Sequence, residues 1–216
     1  MRNKTGGAVH TKTRFGSMVR RKVSPVQPRS NFQMAVRATL TALAKLWSDS
    51  TMDANRDAWI NLANNTPTKD VFGQSQRLTG MQFFVKLNAA LAAIGLPVVK
   101  PAPTTLVVGY PGSLTLTADS ATHTLVLTYS VDPAATEVAV IFAAAPLSRG
   151  VQNPGSRYRQ IAYLGAGHPG GWTDTTHYYG KFGAWAVGKK ICLKVLYTSN
   201  VNGAQGFPST VSCIST

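Results

Sequence analysis

The chain has 216 residues, 44% of them hydrophobic, which is enough for one or two small domains of ordinary globular composition. Its net charge of +14 comes as much from missing acids as from abundant bases, because Glu137 is the only glutamate and there are seven aspartates. A paired-carboxylate hydrolase is therefore poorly supported, and two cysteines, Cys192 and Cys213, cannot by themselves build a disulfide framework or a four-ligand zinc site.

The first 31 residues carry eight Lys/Arg (Arg2, Lys4, Lys12, Arg14, Arg20, Arg21, Lys22, Arg29) and no Asp or Glu. Gly6 to Thr13 is polar where a signal peptide would be apolar, and the longest apolar runs are too short and interrupted to span a bilayer. The expectation is a soluble chain made in the cytoplasm, with no membrane partner. Gly6-Gly7, Gly16, Pro25 and Pro28 punctuate short β-prone stretches, Ala8 to Thr13 and Ser17 to Val23, so residues 1–30 read as an extended basic arm or loose hairpin. Ordering about thirty such residues costs tens of kcal/mol, which only a neighbouring surface can offset.

Residues 31–95 read as a small helical region. Phe32, Val36, Leu40, Leu43 and Trp47 recur at three- and four-residue steps behind Ser30 or Asn31 as a cap. A second helix follows Thr51, with Ala58, Trp59, Leu62 and Ala63 as its stripe. The third runs from Gly80 to about Ile94, with Phe84, Leu87, Leu91 and Ile94 on one face and Gly95 and Pro97 behind it. Residues 96–105 form a proline-rich, semi-rigid linker.

From 106 to 216 the period switches to two. "SLTLTADS", "HTLVLTYS", "TEVAVIFAAA", "RYRQIAYLG", "KKICLKVLY" and "STVSCIS" read as strands of an antiparallel sandwich. In the fifth of these Ile191, Leu193, Val195 and Tyr197 are expected inward, and Lys190, Cys192, Lys194 and Leu196 outward. The two cysteines could face each other across the last hairpin. The fold class is thus α+β, mainly β, with an arm, three helices and a sandwich. The strand order and the glycine-rich last turn before Pro208-Ser209 resemble an immunoglobulin-like or fibronectin type III module. Function does not follow from that fold.

Several motifs dissolve on inspection. Gly165, Gly167 and Gly170 satisfy G-x-G-x-x-G after a strand, but no helix start follows to meet a pyrophosphate, so a loop between strands explains them and no cofactor is expected. Asp174 and His177 suggest an oriented imidazole, yet no nucleophile elbow accompanies them. His10, His123, His168 and His177 lack metal-ligand spacing. The expectation is a protein without enzymatic activity.

The arm is the segment whose function competes with a bland reading. Eight phosphate contacts would give a log–log salt slope near about −7. Val9, Phe15, Met18, Val19 and Val23, however, suit a protein groove better than a phosphate backbone. Arg14, Phe15, Met18, Arg20, Arg21 and Lys22 are the candidate contact residues.

Gln33 and Arg37, then Trp47, Arg56 and Trp59, then Gly80, Phe83 and Asn88, together with "APLSRGVQNPGSRYRQIAYL", are similar to a group of bacterial and phage-associated proteins with a glycine/arginine-rich arm, tryptophan-containing helices and a C-terminal sandwich. The resemblance implies a virion or prophage context and no activity to carry over. The leading expectation is an auxiliary capsid protein (decoration, cement or minor head), located in the virion, with the major capsid or other virion proteins as partners in a multi-copy assembly. One alternative is a nucleic-acid-binding virion or nucleoid protein whose arm holds packaged nucleic acid. Others are a tail or connector component, and an adhesin-like glycan binder using Trp172, Tyr178 and Tyr179.

Overall fold

The computed structural model describes residues 4–5, 8–13, 16–21, 30–69 and 73–216, and it divides into two units, Met1–Ala38 and Thr39–Thr216. In the first, β1 (Lys4–Thr5), β2 (Ala8–Thr13) and β3 (Gly16–Arg21) pair antiparallel in the order β1-β2-β3, with His10 opposite Val19 and Thr13 opposite Gly16. Helix α1 (Asn31–Ser48) begins where the Ser30 hydroxyl accepts the Gln33 N–H at 3.3 Å, satisfying one of the free donors at a helix start.

In the second unit a 3₁₀ turn over Ser50–Met52 leads into α2 (Asp53–Asn65), and the short pair β4 (Thr68–Lys69) and β5 (Ser75–Gln76) precedes α3 (Gly80–Ala93). Helix α3 opens on a capping box: Thr79 Oγ1 accepts the Gln82 N–H and the Gln82 side chain accepts the Thr79 N–H. Trp59, Met52 and Phe84 are fully buried together, with Trp59 edge-on to Phe84 at 5.3 Å. Arg56 donates to the carbonyls of Trp47 and Asp49, both at 2.9 Å, and pairs with Asp53, so it caps the end of α1 from α2.

Residues 96–105 run along these helices. Trp59 Nε1 donates to the Lys100 carbonyl at 2.7 Å, while the buried Asn88 amide accepts from Val99 N at 2.7 Å and donates to Val99 O at 3.2 Å. Each bond satisfies a buried polar group that would otherwise be costly.

The remaining strands form two antiparallel sheets. One has the order β10 (Trp172–Asp174), β7 (Thr124–Tyr129), β6 (Leu114–Asp119); the other has β12 (Ser209–Ile214), β11 (Lys190–Ser199), β8 (Glu137–Ala143), β9 (Arg159–Leu164). Alternation puts Leu125, Leu127 and Tyr129 of the first sheet against Ala139, Ile141, Leu193 and Val195 of the second in one core. A short helix, α4 (His177–Phe182), adds Tyr178 to that core.

Strand β11 buries Ile191, Leu193, Val195 and Tyr197 as its alternation predicts. Cys192, expected outward, is only 2% exposed, because the segment after β8 folds over that face and covers it with Ala144, Leu147, Val151 and Tyr158. Cys192 lies opposite Ser212, and Cys213 opposite Ile191. The two cysteines are thus on different faces of the hairpin, and both are free thiols.

Candidate functional site

The apolar residues of α1 at positions 32, 36, 40, 43 and 47 fall within a sector of about 80° at 100° per residue. At the C-terminal end the stripe is covered: Leu43 is 2% exposed and Trp47 packs against Phe84 at 5.5 Å. Towards the N-terminus it is open, with Phe32 at 74% and Val36 and Leu40 each at 43% exposed. Covering one such side chain is worth about 1.5–3 kcal/mol. The helix carries Arg37 and Lys45 and no carboxylate. An uncovered apolar stripe on a wholly cationic helix is chemically matched to an apolar surface edged with acids.

Of the contact residues read from the sequence, Met18 and Arg21 are exposed on β3, as is Val19 beside them. Arg20 belongs to β3 by its backbone. Arg14, Phe15 and Lys22 lie outside the described residues. The open stripe of α1 went unnoticed in the sequence because its apolar spacing is equally that of a covered helix.

Asp174 and His177 do meet, with Nδ1 and Oδ1 2.9 Å apart. The buried carboxylate also accepts the backbone N–H groups of Thr176, His177 and Tyr178 at 3.1, 2.8 and 2.7 Å. Burial pushes its pKa up, and the bonds from Tyr178, His177 and Thr176 outweigh that and bring it below the ordinary carboxylate value. It is a cap that starts α4, and among the described residues the one further hydroxyl at the imidazole, Thr176 Oγ1, lies 3.4 Å from the same Nδ1 and not at the far ring nitrogen.

The glycine-rich segment is a loop from β9 to β10, as its sequence suggests, and the Tyr129 hydroxyl donates to the His168 carbonyl within it at 2.5 Å. The aromatic triplet of the glycan-binding alternative is not a surface. Tyr178 is 1% exposed, because α4 turns it inward to donate to the Ala144 carbonyl at 2.8 Å; Tyr179 is 46% exposed and Trp172 is half-buried. No group of three or more metal-ligating side chains is assembled among the described residues, and no helix among them is long and apolar enough to cross a membrane.

No protein-family model matches the chain, and no curated protein matches it. A solved structure described as a Fn3-like protein from Clostridium thermocellum is similar to 50% of this chain and 92% of its own, at 23% identity and a TM-score of 0.33. The sandwich itself rests on the strand order and the shared core: the chain is a mixed helical and β protein with two facing antiparallel sheets.

Proposed function

We propose that the chain is a non-catalytic structural protein of a phage particle, an auxiliary capsid protein anchored through its basic arm and the open stripe of α1. The observation that carries this reading is the pairing of exposed apolar side chains with an acid-free basic segment: Met18, Val19 and Arg21 on β3, and Phe32, Val36 and Leu40 on α1. Phosphate contacts use the cations and waste the apolar groups, whereas an acidic apolar groove on a protein uses both. The sandwich, with strands one, two and five in one sheet and three, four, six and seven in the other, is read as immunoglobulin-like or fibronectin type III-like. Many copies on one particle would multiply a modest contact.

Incorporation into particles tests this. A chain lacking residues 1–29, and a full chain carrying Phe32→Asp with Val36→Asp, are each expected to unfold like the parent yet fail to co-purify with particles. Normal incorporation of both variants would overturn the proposal. The concentration of positive charge favours a second reading, in which the arm holds packaged nucleic acid.

A further inference from the structure

A cleft of about 640 Å³ opens between α3 and the loop joining β11 to β12. Phe83 and Leu87 of α3, Leu106, Ala204 and Phe207 make it mainly apolar. Phe83, Leu87 and Ala204 are buried in its walls, while Phe207 stands at the cleft 83% exposed.

The walls are fixed. Asn202 Nδ2 donates to the Thr105 carbonyl at 2.8 Å, and Ser199 N donates to the Ala204 carbonyl at 2.8 Å. Gly203, at φ +74°, sits so close to α3 that a Cβ there would lie 2.1 Å from the Leu87 carbonyl oxygen. This close approach and the two hydrogen bonds hold the loop against the helix.

Among the described residues lining the cleft, Lys86 is the one ionisable side chain. Its Nζ lies 5.9 Å from the Phe83 ring centroid, and the two ion pairs formed among described residues, Arg56 with Asp53 and His177 with Asp174, do not involve it. An apolar floor, an exposed phenyl ring and a single cation at the rim define one ligand chemistry. The size is that of a small-molecule site, and a cation that pairs with no carboxylate among the described residues favours an anion. We propose that this cleft binds a small amphipathic carboxylate, its alkyl or aryl body against Phe83, Leu87 and Leu106 beside Phe207, and its carboxylate on Lys86. The site is independent of the arm and of the virion reading.

The test titrates the full chain with decanoate, below its micelle concentration, and with decanol, following backbone amide shifts by NMR. Wild-type protein should show saturable shifts confined to α3, residues 66–68, Leu106 and residues 203–207, with decanoate preferred by about threefold to fivefold, the range an exposed ion pair supports. Lys86→Gln should remove the preference and leave decanol binding unchanged. Phe207→Ala should weaken both ligands by a similar factor. Both residues are exposed, so both variants should fold. Absence of cleft shifts with decanoate, a preference that survives Lys86→Gln, or unchanged binding in Phe207→Ala would each overturn the proposal.

Discussion

Glu137, the only glutamate, accepts the backbone N–H of Gly109 through Oε1 at 2.7 Å, tying the segment that enters the sandwich to the start of β8. Its second oxygen accepts the Ala134 N–H at 3.1 Å, and the residue is 8% exposed. Each oxygen thus meets a backbone donor. Glu137→Gln turns an amide N–H₂ towards one of those donors and is expected to cost about 1–3 kcal/mol. Chemical denaturation, with unchanged slope and a lower midpoint, is the check; a stability within error of the parent would remove this tie from the account.

Asp174 predicts an acid-sensitive step. Its folded pKa lies below the unfolded one, so its contribution is fully present above the unfolded value of about 3.9 and is lost as pH falls through the folded value. In Asp174→Asn, stability should be lower at neutral pH and less dependent on pH below about 4 than in the parent. Denaturation midpoints measured at pH 6 and at pH 3 in both proteins would show this, and parallel losses in the two would contradict it.

The thiols should be silent. Burial pushes Cys213 up to about 11 and also raises Cys192, and reactivity belongs to the thiolate. Neither cysteine should react with an aromatic disulfide reagent at pH 8 until denaturant is added, when both should. Their placement on opposite faces of the last hairpin also predicts no internal disulfide under mild oxidation. Fast labelling of the folded protein would contradict the burial.

His123 turns the corner between β6 and β7 at φ +52°, a conformation that favours glycine, while its ring stacks on Tyr179 at 5.1 Å and leans on Trp185 at 4.8 Å. Backbone strain and ring packing oppose each other there. His123→Ala keeps the strain and loses the rings, so it should be less stable than His123→Gly, which relieves the strain. Thermal unfolding of the two variants decides; the reverse order would mean that the backbone strain at this φ contributes little.

Much of this architecture was legible because periodicity and packing agree. The alternation of Leu125, Leu127 and Tyr129, and of Ile191, Leu193, Val195 and Tyr197, names the sheet faces that form the shared core. The apolar face of Phe84, Leu87 and Leu91 places α3 from Gly80 in the sequence as in the structure, whereas the Thr79–Gln82 capping box emerges only from the structure. Strand β10 and helix α4 were not read, because three residues of strand and six of helix give no usable period, and the Asp174 cap is local chemistry resembling a catalytic pair. Cys192 was misplaced because alternation cannot foresee a loop folding over the outer face of a sheet. The open stripe of α1 was unreadable for a related reason: the sequence shows which residues are apolar, and only the structure shows which of them are left uncovered.

In the proposed role the arm and α1 grip protein. The most direct measurement is the mass and nucleic-acid content of the native assembly carrying this chain, before and after nuclease digestion. The expected result is a megadalton particle that keeps the chain once its nucleic acid is gone. A chain released with the digested nucleic acid would show that its cations were holding phosphate, and would contradict the claim.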